Sequence, residues 1–129
     1  MTAIIEPWEP QAHYWLIDSW LRKRGMDSGA GSIDGYPTTG FIVNSCVAGF
    51  LYRTDSAICY LDSYCSDPAV TKELRETSLV HLTRALLSSA KELGFRAAWA
   101  TTSSPTLVSV ADGFGFDVRP GFSSMSKGF

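Results

Sequence analysis

The chain has no glycine between Gly49 and Gly94, although that stretch runs from apparent strands into a long helix. A strand entering a helix through a glycine-rich turn is a common cradle for phosphate, and that form of it is excluded here. "GAGSIDG" does contain glycines, but it neither follows a strand nor precedes a helix, so it makes a poor phosphate loop. Histidine is scarce: His13 and His81 are far apart, and nothing stands at catalytic or metal-ligand spacing from either. A Ser/His/Asp hydrolase and a metal site are therefore not expected. The three cysteines, Cys46, Cys59 and Cys65, lie in apparent strands and read as reduced packing residues of a cytosolic protein. No apolar run approaches the roughly 18 residues of a membrane span. The start "MTAIIEPWEP" lacks the basic flank and apolar stretch of a signal peptide. A formal net charge of -2 gives no electrostatic reason to expect nucleic acid.

What is present describes an ordinary globular domain: 129 residues, 45% apolar and 19% charged, enough for one core. "AIIEPW" reads as a short first strand. Pro10 opens a helix with Leu16, Ile17, Trp20 and Leu21 on one face; the cations of "RKRG" and the cap Gly25 close it. The Gly25 to Gly40 loop is long enough to cover a binding site, or it is a mobile connection. "GFIVN", "CVAGFLYR" and "AICYLDSYC" follow with short separations, which predicts an antiparallel meander. Asp67 and Pro68 then suit an N-cap and first residue for the helix ending at Gly94, whose buried face carries Leu79, Leu82, Leu86, Ala90 and Leu93. "RAAWATTS" is a further strand, Ser104-Pro105 starts another helix stopped by Gly113, and the tail has room for a last strand around residues 122–127. The four tryptophans, Trp8, Trp15, Trp20 and Trp99, read as core or semi-buried packing.

Three local features in this order resemble the GCN5-related N-acetyltransferase (GNAT) superfamily. The strand ending in "SDP" looks like the family's fourth strand, and "LTRALLSSAKELGF" looks like the helix after its pyrophosphate loop. "SSPTLVSVADGFGF" is similar to its "N-P-x-x-x-x-x-Y-x-x-x-G-F" helix and strand. The resemblance is best from Ala57 onward and rests on element order before that. It implies an α+β fold over residues 1–129, with a mixed, mostly antiparallel sheet flanked by helices. It also implies acetyl-CoA as the acyl donor, an amine acceptor on a small molecule or protein, and pairing into homodimers. Short divergent chains of this kind are frequent in bacteriophage genomes, which would place the protein in a host cytoplasm or a virion.

The same resemblance assigns site residues. The donor's pantetheine arm would lie beside strand four, against Asp62, Ser63, Tyr64 and Cys65, with Asp62 the nearest base and Tyr64 a substitute acid. The family's loop reads R/Q-x-x-G-x-G/A, and its exposed amides take the diphosphate. In this chain that segment is Arg75, Glu76, Thr77, Ser78, Leu79 and Val80: the register from Arg75 puts Ser78 and Val80 at the small positions, and the register from Leu74 puts Thr77 and Leu79 there. The family's frequent acid tyrosine falls on Ala111 and its asparagine on Ser104. Strand alternation predicts Tyr60, Asp62 and Tyr64 on one face, with Cys59, Leu61 and Cys65 opposite unless a bulge intervenes.

Two starts for the helix are open. Beginning near Pro68, it would bond the amides of 74–79 internally; with 69–75 as a loop, Glu76 to Ser78 would present theirs. Glu73 and Glu76 oppose a diphosphate, whereas Lys72 or Arg75 would attract it. Two functions follow: an N-acyltransferase with a degenerate loop, or a GNAT-fold binding or assembly protein that has lost acetyl-CoA. Exposed amides at 76–80 beside the parting of strands four and five are the condition for the first.

Overall fold

The computed structural model describes residues 2–26 and 33–121. Residues 27–32 of the glycine-rich loop, and the last strand expected around 122–127, lie outside the described residues. The first strand, β1, is short (Ile5–Pro7) and lies at a sheet edge, where a proline is tolerated because its missing N–H costs no ladder bond. Helix α1 (Pro10–Lys23) starts on Pro10 and buries Ile17, Trp20 and Leu21. Arg22 and Lys23 sit in its last turn, and Gly25 leaves it at φ +73. Trp15, on the same helix, is 65% exposed rather than semi-buried, because α1 turns only one stripe to the sheet.

After a 3₁₀ turn at Ile33–Gly35, the predicted meander forms: β2 (Thr39–Val43), β3 (Val47–Tyr52) and β4 (Ile58–Ser66), paired antiparallel. The β2–β3 turn is tight: the Cys46 amide donates to the Val43 carbonyl across Asn44 (φ +52) and Ser45 (φ +51). Two left-handed residues give such a turn the twist that flanking strands need. The chain then passes through helix α2 (Lys72–Glu92) to β5 (Ala97–Trp99), which pairs parallel to β4, and α3 (Pro105–Gly113) is the last element among the described residues. The sheet order is β1-β2-β3-β4-β5. It is the mixed, mostly antiparallel sheet flanked by helices that the sequence predicts.

Two apolar layers hold the sheet. On one face Leu79, Leu82, Leu86 and Ala90 of α2 cover Val43, Val47, Leu51, Cys59 and Leu61. On the other, Ile17, Trp20 and Leu21 of α1 meet Ile42, Ala48 and Phe50, together with Trp8 and Tyr36. Strand β3 is therefore buried on both faces, which is why its sequence is a near-continuous apolar run. Gly49 makes α2 fit: a Cβ there would stand 3.1 Å from Leu82 Cδ2 and 3.2 Å from the Tyr64 ring.

Candidate functional site

The centre of the sheet carries an irregularity that positions everything nearby. Phe50 pairs with Asp62 and Ala48 with Cys65, so two steps along β3 match three along β4. This is a β-bulge, with Ser63 as its extra residue in the left-handed region at φ +57. Two side-chain contacts hold it there. The Ser63 amide donates to Asp62 Oδ1 at 2.7 Å, and the Ser63 hydroxyl shares a hydrogen bond with the Tyr52 hydroxyl at 2.6 Å.

The bulge changes the expected faces. Up to Asp62 the strand alternates as predicted, with Tyr60 and Asp62 exposed and Cys59 and Leu61 buried. Beyond it the order reverses, because one extra residue shifts the side-chain period by one. Tyr64 packs with the α2 layer, not beside Asp62, and its hydroxyl lies 3.3 Å from Thr83 Oγ1. Cys65 packs with the α1 layer. Burial raises the Tyr64 phenol above its ordinary range; the Thr83 bond pulls back and the Asp62 charge adds to the rise. Burial pushes the Cys65 thiol up to about 12, with Arg24 opposing the shift. Both groups keep their protons at neutral pH, so neither is a base or a thiolate nucleophile there.

Strands β4 and β5 pair only from Ile58–Ala97 to Tyr60–Trp99. Residues 61–66 of β4 continue without β5, so a fork opens just past Tyr60 and Trp99. Tyr60 is 43% and Trp99 57% exposed at its apex, which corrects the packing role expected of Trp99. Ser104 lies beyond the fork as the cap of α3: its hydroxyl accepts from the Leu107 amide at 3.3 Å.

The other wall, the start of α2, differs from both sequence expectations. Asp67 does not cap the helix. Its carboxylate accepts from the Ala69 amide at 2.9 Å, closing a local turn, and its own amide donates to the Cys46 carbonyl at 2.8 Å. Thr71 is the cap, accepting from the Leu74 amide at 3.2 Å, and the helix is continuous from Lys72. The Arg75 amide already donates to the Thr71 carbonyl. The amides of Glu76, Thr77, Ser78, Leu79 and Val80 therefore lie inside the helix, each paired one turn back.

Their side chains are also engaged. Thr77 Oγ1 donates to the Glu73 carbonyl at 2.8 Å, and Glu76 lies 3.7 Å from Lys72 Nζ. Ser78 is buried, accepting from Asn44 Nδ2 at 2.9 Å and from the Cys46 thiol at 3.5 Å. Leu79 is in the core, and Val80 and Arg84 line a shallow groove between α2 and α3. Glu76 and Thr77 line that groove too, and Glu73, Leu74 and Thr77 border a second one, against Thr2, Ala3 and Asn44. The bond from Asn44 to Ser78 ties this part of the helix to the β2–β3 turn.

The segment 75–80 therefore does not fit a diphosphate: its amides are used, and the free end of the helix dipole lies a turn earlier and carries Glu73. Nothing in the sequence around Tyr52 marks its bond to Ser63. Only the bulge brings the two hydroxyls together, and no residue pattern announces a bulge at a serine.

Comparison with solved structures identifies the fold. An acetyltransferase from Trypanosoma brucei matches with a TM-score of 0.68 at 7% identity, over 98% of this chain and 100% of that one. Glucosamine-6-phosphate N-acetyltransferase from Arabidopsis thaliana matches with a TM-score of 0.66 at 12% identity, over 100% and 99%. The aminoglycoside N-acetyltransferase AAC(6')-Iy, solved with CoA, matches with a TM-score of 0.63 at 19% identity, over 98% and 95%. The chain thus has the fold of GNAT acetyltransferases along essentially its whole length. No protein-family model matches the sequence, and no curated protein does. Among the described residues no helix is long and apolar enough to cross a membrane.

Proposed function

We propose that this chain uses the GNAT fold as a binding module and does not hold acetyl-CoA by the family's diphosphate loop. One observation carries the reading: α2 is wound continuously through residues 76–80, so the amides a diphosphate needs are already paired within the helix. Moving them onto a ligand would unwind the first two turns and expose Leu79 and Ser78, both buried. The partner we propose is a protein, as a component of a phage particle or in a host cell, in keeping with the short divergent chains that the sequence resembles.

The thermal midpoint with millimolar acetyl-CoA, free CoA and an adenine nucleotide tests this directly. A ligand of the folded state at a hundredfold excess over its Kd adds about 2.7 kcal/mol, a rise of several degrees. The binding-module reading expects no rise with any of the three. A rise with acetyl-CoA and CoA overturns it in favour of the second reading, an N-acyltransferase acting on an amine. That reading is favoured by the fork beyond Tyr60 and Trp99, the parting of strands four and five that it needs. It requires a seat for the diphosphate other than the amides of 76–80.

A further inference from the structure

One carboxamide ties three segments of the chain together. Asn44 sits in the tight β2–β3 turn at φ +52, a conformation that asparagine tolerates better than most side chains. Its main chain and its side chain both bind the segment before β1. The Asn44 amide donates to the Ile4 carbonyl at 2.8 Å, and Asn44 Oδ1 accepts from the Ile4 amide at 2.9 Å. An amide N–H can only donate, so the Ile4 bond fixes which way the carboxamide is turned. Its Nδ2 then faces α2 and donates to Ser78 Oγ at 2.9 Å. Ser78 is buried, takes a second donor from the Cys46 thiol, and stands at one of the small positions of the loop motif.

The two side-chain bonds of Asn44 are therefore not independent. If Ile4 leaves, Oδ1 loses the donor that orients it, the side chain regains rotamers, and the bond to Ser78 weakens. The partner strand is the element most easily drawn away: β1 has three residues and lies at the sheet edge, with Ile4 and Ile5 exposed beside each other.

We infer that Asn44 is a latch through which the segment before β1, when seated at the sheet edge, holds the first turns of α2 closed. The inference rests on the binding-module reading and names what regulates its closed helix. A partner that draws β1 off the edge loosens Ser78, although Ile4 and Ser78 share no bond of their own. The coupling runs through hydrogen bonds only, and no covalent step is involved.

The test is amide hydrogen exchange by NMR on the full chain, in the parent and in Ser78→Ala. The Ile4 amide exchanges about threefold to tenfold faster in Ser78→Ala, because its acceptor has lost the bond that steadied it. The Trp8 amide, bonded to the Gly40 carbonyl just past the other end of β1, keeps its rate. An unchanged Ile4 rate overturns the inference, and an equal rise at Trp8 overturns it as a general loosening of the edge. A double-mutant cycle reads the same coupling from denaturant unfolding. Ser78→Ala lowers the folding constant by a factor about threefold smaller in the Ile4→Pro background than in the parent. Additive effects overturn the latch, and if Ile4→Pro does not fold, the Ile4 exchange rate in Ser78→Ala decides alone. Neither measurement uses acetyl-CoA. A midpoint rise with acetyl-CoA sinks the binding-module reading and leaves the coupling of Ile4 to Ser78 standing, whereas an unchanged Ile4 rate without such a rise sinks the latch alone.

Discussion

The two walls of the site, β4 and the start of α2, have fared differently within one fold. Strand β4 keeps an interrupted ladder and a fork, although the residue at the bulge is a serine held at φ +57. A non-glycine residue there costs on the order of 1–2 kcal/mol, and the bonds to Asp62 and Tyr52 offset it. Helix α2 meets no comparable obstacle. With Ser78 and Val80, or Thr77 and Leu79, at the small positions of the loop motif, every residue from Lys72 to Glu92 is an acceptable helix former. Once a turn is nucleated by the Thr71 cap, each further residue adds a hydrogen bond at little cost. Sheet geometry is enforced by neighbours on both sides, whereas a helix end moves with its own local sequence.

The contrast can be broken or sharpened by substitution. Leu82→Ala strikes both walls at once, because Leu82 seats α2 over Gly49 and beside Tyr64. It should cost about 2–5 kcal/mol, read as a lowered denaturant midpoint with unchanged slope. Acting on β4 alone, Ser63→Val should cost roughly 2 kcal/mol or more, since a β-branched side chain tolerates φ +57 poorly and the Tyr52 bond is lost. Ser63→Gly should be nearly neutral, relief of the backbone balancing that lost bond, and equal losses for the two would remove the strain argument. At α2, Thr71→Ala should cost about 1 kcal/mol through the lost cap. Hydrogen exchange sharpens the same point without a mutation: the amides of 76–80 should be strongly protected and those of Lys72 and Glu73 exchange freely. Fast exchange at 76–80 would mean the loop is open after all.

Much of the fold is legible in the residues. The meander follows from short separations between apolar runs, α1 from Pro10 and Gly25, and α3 from Ser104-Pro105, whose serine caps as expected. The start of α2 is less so. Asp67-Pro68 has good capping chemistry, but the Asp67 amide is taken by the Cys46 carbonyl and its carboxylate by Ala69, which delays the helix to Thr71. Faces along β4 follow alternation only as far as Asp62, so Tyr64 and Cys65 exchange the sides predicted for them. The exposure of Trp99 is equally hidden, because it depends on how little of β5 the other described residues cover.

By itself the sequence determined the order of elements from β1 to α3, the apolar faces of the helices except Leu93, which is 42% exposed at the end of α2, and the absence of a glycine loop, since periodicity and glycine content are local properties of a chain. Only the tertiary structure decided where the bulge falls, which way Tyr64 points and that α2 is already helical at residue 76. Each of these depends on which distant backbone group claims a hydrogen bond, as the Cys46 carbonyl claims Asp67 and Tyr52 claims Ser63. Such competition has no signature in the segment that loses its freedom to it.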